Sequence, residues 1–254
     1  MMKKWSLRML CLIVAMAIFG QLGIARGEDT KATKPAIVPN PAHDPTKPVP
    51  GGVRWFGRNH AKYLQQTQAG KIDLCFLGDS ITAMWSGGLF GKYYGKYKVV
   101  NFGVGGDRAE NVLWRLENGE LKGQSPKVIV LMIGTNNLGF NTVEEVALGV
   151  ETVVKNLQGK FPKTKILLLG ILPKLGDAKL PTEQMLVKIE KVNAITAKLD
   201  DGKMIRYLDF GPKFLDNDKK IQGGILADGV HLTGKGYEIW ATSMNPLLTE
   251  MMEK

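Results

Sequence analysis

A serine follows a glycine and an acid near residue 80, directly after an apolar run. Residues 78–82 read Gly-Asp-Ser-Ile-Thr and come after the apolar run 72–77. In open α/β sheets ligands bind at the carboxyl ends of the strands, and a small residue before the turn lets the chain expose the next side chain there. Ser80 is therefore a candidate nucleophile, although a turn serine that only caps the next helix has the same local signature.

A nucleophilic serine needs a base, and the chain contains three histidines: His43, His60 and His231. His43 lies in a proline-rich run that cannot build a rigid site, and His60 lies in a polar, helix-like segment ahead of the first predicted strand. His231 follows Asp228 by three residues, so that the carboxylate can bond the imidazole across a turn, fix its tautomer and stabilise the imidazolium. This predicts His231 as the base and Asp228 as its acid. The alternative is a pair that merely caps the last helix.

Two further turns offer hydrogen-bond donors for an oxyanion. Residues 101–107 read Asn-Phe-Gly-Val-Gly-Gly-Asp, and residues 134–137 read Gly-Thr-Asn-Asn. Both segments follow apolar runs that are predicted strands, so a glycine amide and an asparagine amide become available at the strand ends. Each such donor is worth about 10²–10³ in turnover when it faces a developing alkoxide. Ordinary turn chemistry favours the same residues.

The four blocks Gly-Asp-Ser, Gly-Gly-Asp, Gly-Thr-Asn-Asn and Asp-x-x-His, in this order, resemble those of the SGNH (GDSL-type) hydrolase superfamily. The resemblance covers about the whole mature domain. Residues 101–107 with 112–121, 134–137 and 231–237 look like the catalytic subunits of intracellular platelet-activating-factor acetylhydrolase. Ile81 stands where the family name implies leucine, a small apolar change that leaves the nucleophile untouched.

The resemblance implies a role for each site residue. Ser80 is the nucleophile, His231 the base and Asp228 its orienting acid. The oxyanion donors are the backbone amides of Ser80 and Gly106 and the side chain of Asn136. The implied fold is α/β, a flavodoxin-like three-layer αβα sandwich around a five-stranded parallel sheet of order 2-1-3-4-5.

The hydrophobic pattern independently favours βαβ units. Short β-branched or leucine-rich runs alternate with longer amphipathic stretches, as expected of a parallel sheet covered on both faces. Helices are predicted at 142–158, 181–199 and 236–251. Strands are predicted at 72–77, 97–101, 128–133, 165–170 and 204–209.

The amino-terminal segment predicts export. Residues 1–27 combine a basic start, an apolar stretch from Met9 to Phe19 and small residues spaced for cleavage, as in a secretory signal peptide. The apolar stretch is shorter than a membrane span of about 20 residues, so no stable span is expected after cleavage. Residues 28–52 are rich in proline and predict a linker, which leaves 53–254 as the catalytic domain. A secreted or periplasmic location follows.

Composition limits the classes of partner. The formal charge is +10, but part of it belongs to the predicted signal, and the remaining basic residues form no sustained stripe. We therefore expect no nucleic-acid partner. Cys75 would be the one cysteine left after cleavage and predicts a buried structural thiol. No cluster has metal-ligand spacing, so neither a metal nor another cofactor is expected. A small-molecule or glycan ester is the expected partner, and a homodimer is left open.

These patterns together predict a secreted serine esterase, and the resemblance implies short acyl groups, above all acetyl. The animal relatives are intracellular whereas this chain is predicted to be exported, which favours an acetylated carbohydrate over a platelet-activating-factor-type phospholipid. A lysophospholipase, a thioesterase, an acyltransferase and a non-catalytic glycan- or lipid-binding module stay open. The aromatic residues Trp85, Phe90 and Tyr93 either stack on sugar rings or pack under the loop after the nucleophile.

Overall fold

Five strands alternate with seven helices in the computed structural model, which describes residues 55–253. The segments assigned above to a signal peptide and a linker, and His43 with them, lie outside these residues. The strands are β1 (Leu74–Gly78), β2 (Val99–Gly103), β3 (Val128–Met132), β4 (Lys165–Leu169) and β5 (Ile205–Leu208). The helices are α1 (Trp55–Gln68), α2 (Ser80–Ala83), α3 (Gly87–Tyr94), α4 (Ala109–Glu117), α5 (Val143–Lys160), α6 (Thr182–Thr196) and α7 (Gly234–Glu253).

The five strands form one parallel sheet of order β2-β1-β3-β4-β5. The predicted fold class and strand order are therefore confirmed. The last residues of β1, β2 and β3 pair with one another: Gly78 of β1 pairs with Gly103 on β2 and with Met132 on β3. Because these strands end at one level, the loops that follow them meet at one edge of the sheet.

The predicted elements match the observed ones to within a few residues. Each predicted strand overlaps an observed strand. Thr142 is the N-cap of α5 rather than its first residue, because its hydroxyl accepts a hydrogen bond from the Glu145 amide. The predicted helix 181–199 is α6 followed by a short 3₁₀ turn, Ala197–Leu199. The short helix α4 was not among the predicted helices.

The core lies on both faces of the sheet. On one face the β1 residues Leu74 and Phe76 pack with α7, and on the other Cys75 and Leu77 pack with α4 and α5. The alternation follows the two-residue period of a strand, and it explains why β1 is apolar throughout. Cys75 is buried, and this burial raises the pKa of its thiol well above the ordinary value. No helix within residues 55–253 combines the length and the apolar character needed to cross a bilayer.

The aromatic residues after the nucleophile belong mainly to this core. The Trp85 side chain is buried, with ring centroids 4.6 Å from Tyr237 and 5.2 Å from Trp240. Phe90 is half-buried against Phe76, with ring centroids 5.1 Å apart. Trp85 therefore packs under the loop, and Phe90 and Tyr93 are partly buried against the same core.

At Gly103, β2 closely approaches α2, the helix that carries Ser80. A Cβ at this position would lie 2.3 Å from the Ala83 amide nitrogen of α2. We expect Gly103→Ala to push β2 and α2 apart and to lower the free energy of unfolding by about 1–3 kcal/mol, with loss of activity. Gly159→Ala is the matched control, because a Cβ in that part of α5 meets open space and alanine favours a helix. Thermal unfolding would contradict the prediction if both variants kept the wild-type Tm.

Candidate active site

Ser80 is placed by a very short helix at the end of β1. It is the first residue of α2, and Asp79 is the N-cap, with its Oδ1 accepting a 2.9 Å hydrogen bond from the Ile81 amide. The helix ends after four residues, so the serine follows the strand with one residue between them. This geometry puts a half-buried hydroxyl at the carboxyl edge of the sheet.

Two side chains from other elements hold the far end of α2. The Tyr237 hydroxyl of α7 donates to the Ile81 carbonyl at 2.7 Å, and the Asn101 Nδ2 of β2 donates to the Thr82 carbonyl, also at 2.7 Å. These carbonyls belong to the last turn of the helix, where no further intrahelical donor is available. No local pattern in the sequence indicates these roles, because both contacts depend on tertiary packing.

Ser80, His231 and Asp228 form one hydrogen-bonded series, although the serine and the histidine are 151 positions apart. Ser80 Oγ lies 2.9 Å from His231 Nε2, and His231 Nδ1 lies 2.7 Å from Asp228 Oδ2. Hydrogen bonds from the His231 backbone amide and then from its ring lower the pKa of Asp228 to about 2. The ionised carboxylate only accepts, so Nδ1 carries the proton and Nε2 is free to accept from the serine hydroxyl.

A tight turn explains the spacing between the acid and the histidine. Asp228 Oδ1 accepts from the backbone amides of Val230 at 3.1 Å and His231 at 2.8 Å. Gly229 has φ +88°, and a Cβ there would also come within 2.8 Å of the Leu175 side chain. One carboxylate therefore shapes the turn with one oxygen and orients the imidazole with the other.

The loops after β1, β2 and β3 are bonded to one another at the same edge. The Val104 amide donates to the Gly78 carbonyl at 3.0 Å, which ties the second loop to the end of β1. Gly106 has φ +81°, and the Asp107 amide closes this turn by donating to the Val104 carbonyl at 3.2 Å. Asn136 Nδ2 then donates to the Asp107 carbonyl at 2.8 Å. The three segments that carry the predicted site residues therefore meet.

His60 takes no part in this arrangement. It lies in α1 and is buried, with its ring centroid 5.1 Å from that of Trp114. Its Nδ1 is 3.8 Å from Glu120 Oε2. These contacts agree with its exclusion as the base.

Comparison with known proteins places the chain in a family. Residues 76–239 match the GDSL-like Lipase/Acylhydrolase family. The chain belongs to this family. It is 33% identical over 223 residues to platelet-activating factor acetylhydrolase IB subunit alpha2 from Rattus norvegicus, covering 87% of this chain and 93% of the relative. It is 31% identical over 228 residues to subunit alpha1 from Homo sapiens, with coverage of 89% and 93%. The protein is accordingly a carboxylic ester hydrolase.

Solved structures of other proteins share the fold of this GDSL-type hydrolase. A GDSL-like lipase from Bacteroides thetaiotaomicron has a TM-score of 0.62 at 20% identity, covering 76% of this chain and 98% of the lipase. A mutant of an acetyl-xylooligosaccharide esterase from Geobacillus has a TM-score of 0.54 at 20% identity, covering 72% and 95%. At this level of identity the likeness concerns the fold.

Asp79, beside the nucleophile, is a second titratable group of the site. It has no exposed surface, and burial raises its pKa to about 7 even though the Ile81 amide and the His231 charge act in the opposite direction. Burial also raises the pKa of Asp107 to about 7, against the effect of Arg115. Both shifts arise because a carboxylate loses its hydration inside the protein.

Asp79 should make stability depend on pH between about 4 and 7. Its carboxyl is protonated in the native state but ionised in the unfolded state over this window, so folding takes up a proton and the free energy of unfolding falls as pH rises. Asp79→Asn removes that titration while its side-chain oxygen still accepts from Ile81. We expect the stability of the wild type relative to the variant to decrease from about pH 4 to 7 and then to level off. Urea unfolding across this range measures it, and a difference independent of pH would contradict the assignment.

Proposed function

We propose that the protein hydrolyses short-acyl esters by nucleophilic catalysis at Ser80. The observation that carries the proposal is the hydrogen-bonded series from Ser80 through His231 to Asp228. Its distances are those of a nucleophile, a general base and an orienting acid. A module that only binds esters has no need of this series.

The reaction proceeds through an acyl-enzyme. Ser80 Oγ attacks the ester carbonyl while its proton passes to His231 Nε2, and Asp228 stabilises the imidazolium that forms. The tetrahedral intermediate collapses as the bond to the alcohol breaks, and His231 returns the proton to the leaving oxygen. Water then attacks the acyl group with His231 again as base, which releases the carboxylic acid and restores the serine.

Three donors are proposed for the oxyanion. The Ser80 amide lies in the first turn of α2, where backbone amides have no intrahelical acceptor. The Gly106 amide lies in the neighbouring loop. The Asn136 side chain has two N–H groups, one of which donates to the Asp107 carbonyl, and the other is the third donor. Donors fixed in advance stabilise the developing charge without reorganising during the reaction.

Acetyl is the acyl group that we propose, and an acetylated carbohydrate is the proposed substrate. The relatives at 31–33% identity are named acetylhydrolases, which supports a short acyl group. We further propose that residues 1–27 direct export, and an exported esterase meets acetylated glycans more readily than intracellular phospholipid. The names of these relatives favour one second candidate, a platelet-activating-factor-type phospholipid.

Ser80→Ala is the direct test of the nucleophile. We expect this variant to lose at least about 10⁴-fold in kcat on p-nitrophenyl acetate, with an unchanged circular dichroism spectrum. An organophosphonate should label the wild type at Ser80 and leave the variant unmodified. Full activity in the folded variant would eliminate the proposed mechanism.

The acyl and alcohol preferences are tested on the wild type. Across p-nitrophenyl esters from acetate to octanoate, we expect kcat/KM to be highest for acetate. Among natural esters, acetylated xylooligosaccharides should be hydrolysed with higher kcat/KM than platelet-activating factor, and the reverse order would favour the phospholipid candidate. Acyl groups recovered on added alcohols rather than in free acid would identify an acyltransferase.

Asp228→Asn should cost less than the loss of the nucleophile. The asparagine still holds the turn with its side-chain oxygen, which sets its NH₂ group against His231 Nδ1, favours the wrong imidazole tautomer and removes the charge that stabilises the imidazolium. We therefore expect kcat to fall by about 10³- to 10⁴-fold. Asp218→Asn, at an exposed aspartate, is the matched control and should keep wild-type activity. Steady-state kinetics decides, and equal kcat values for Asp228→Asn and the wild type would exclude the proposed role.

A further inference from the structure

A buried ion cluster formed by Arg115, Asp107 and Glu120 lies beneath the loop that carries Gly106. The three side chains are 0%, 2% and 0% exposed. Arg115 Nε is 2.9 Å from Asp107 Oδ2, and Arg115 Nη1 bonds Glu120 Oε1. Burial alone would lower the pKa of Arg115, but the two carboxylates outweigh that effect and raise it above its ordinary value. The guanidinium therefore stays charged and holds partners on two different segments.

The cluster also holds the end of β2. Arg115 Nη1 donates to the Phe102 carbonyl at 3.0 Å. On the next residue, the Tyr63 hydroxyl of α1 donates to the Gly103 carbonyl at 2.6 Å. The strand end from which the loop departs is therefore fixed by side chains on two helices.

The loop itself has little packing that could fix its conformation. Gly105 and Gly106 are exposed, and a Cβ on either would meet no atom within 4 Å. Glycine also permits a wide range of backbone angles. The loop is instead anchored at its ends, at Val104, which is buried and bonds to the Gly78 carbonyl, and at Asp107.

Asp107 is joined to both of the loop-borne donors. Its amide nitrogen is bonded directly to Gly106, and its carbonyl accepts the 2.8 Å hydrogen bond from Asn136 Nδ2. The Asp107 amide also closes the turn that contains Gly106, by donating to the Val104 carbonyl. A shift of Asp107 would therefore change the turn that orients the Gly106 amide and would move the Asn136 side chain at the same time. Its own side chain is held by Arg115.

We propose that Arg115 is a positioning residue for ester hydrolysis, which acts through Asp107 to aim the Gly106 and Asn136 donors at the oxyanion. The inference rests on the proposed function, because it assumes that these groups stabilise the transition state. Arg115 itself touches no reacting atom. Its effect belongs to the transition state, so its removal should lower kcat and leave KM nearly unchanged.

The first test is kinetic and uses p-nitrophenyl acetate. We expect Arg115→Met to lower kcat by about 10- to 100-fold with KM within about threefold of wild type. Arg115→Lys keeps the charge but lacks the fork that contacts several partners, and it should recover part of this loss. If Arg115→Met does not fold, Asp107→Asn takes its place, since it weakens the same ion pair and keeps the carbonyl that binds Asn136.

The matched control is Glu120→Gln. Glu120 bonds Arg115 through Nη1, whereas Asp107 pairs with Nε, so this variant disturbs the same buried cluster and leaves the Arg115–Asp107 ion pair in place. We expect a lower Tm with kcat within about threefold of wild type. A loss of kcat equal to that of the Arg115 variants would show a general effect of the cluster on folding and would overturn the proposal.

A double-mutant cycle separates positioning from a merely structural role. Asn136→Ala should lower kcat by about 10²- to 10³-fold, and its combination with Arg115→Lys should cost clearly less than the product of the two single losses. Losses that multiply, or an unchanged kcat in folded Arg115→Lys, would overturn the inference. An unchanged kcat in Asn136→Ala would instead reject the proposed oxyanion donors, so the two failures can be told apart.

Discussion

The site depends on one constraint, the common level at which β2, β1 and β3 end. Gly78 pairs with Gly103 on one side and with Met132 on the other, so the three following loops start beside one another. The approach is close enough that a Cβ on Gly78 would lie 2.3 Å from the Met132 carbonyl oxygen. Ser80, Gly106 and Asn136 are therefore brought together by backbone pairing, before any side chain of the site makes a contact.

The carboxyl groups near Ser80 are buried, whereas the carboxyl group that bonds His231 is exposed. On the nucleophile side, the carboxyls of Asp79 and Asp107 are almost wholly buried, and the native state must accommodate their desolvation. On the base side, the side chain of Asp228 is 56% exposed and lies in a turn held by its own hydrogen bonds. The buried groups thus lie beside the oxyanion donors that we propose, while the proposed base His231, with its side chain 25% exposed, stays within reach of water.

The sequence predicted the sheet, and the segments that meet at its edge, for a physical reason. Buried parallel strands read as apolar runs, and Ser80, Gly106 and Asn136 each follow such a run closely. Arg115 was not recognised, because an arginine in a mixed polar and apolar segment is typical of an exposed helix face. Its burial depends on partners supplied by other segments, Asp107 and the Phe102 carbonyl, which no local pattern reveals.

The loop that carries Gly106 rests on an ion cluster, although apolar side chains could fill the same space. Apolar side chains of similar volume would fill the space without the cost of desolvating three charges, and such replacements are often as stable or more stable. Packing, however, would exert no directional hold on a loop whose central residues are Gly105 and Gly106. Arg115 instead donates along a fixed direction to the Phe102 carbonyl and forms a 2.9 Å ion pair with Asp107, so it constrains both the end of β2 and the residue that follows Gly106. The oxyanion donors that we propose require a fixed orientation, and this favours charge over packing beneath the loop.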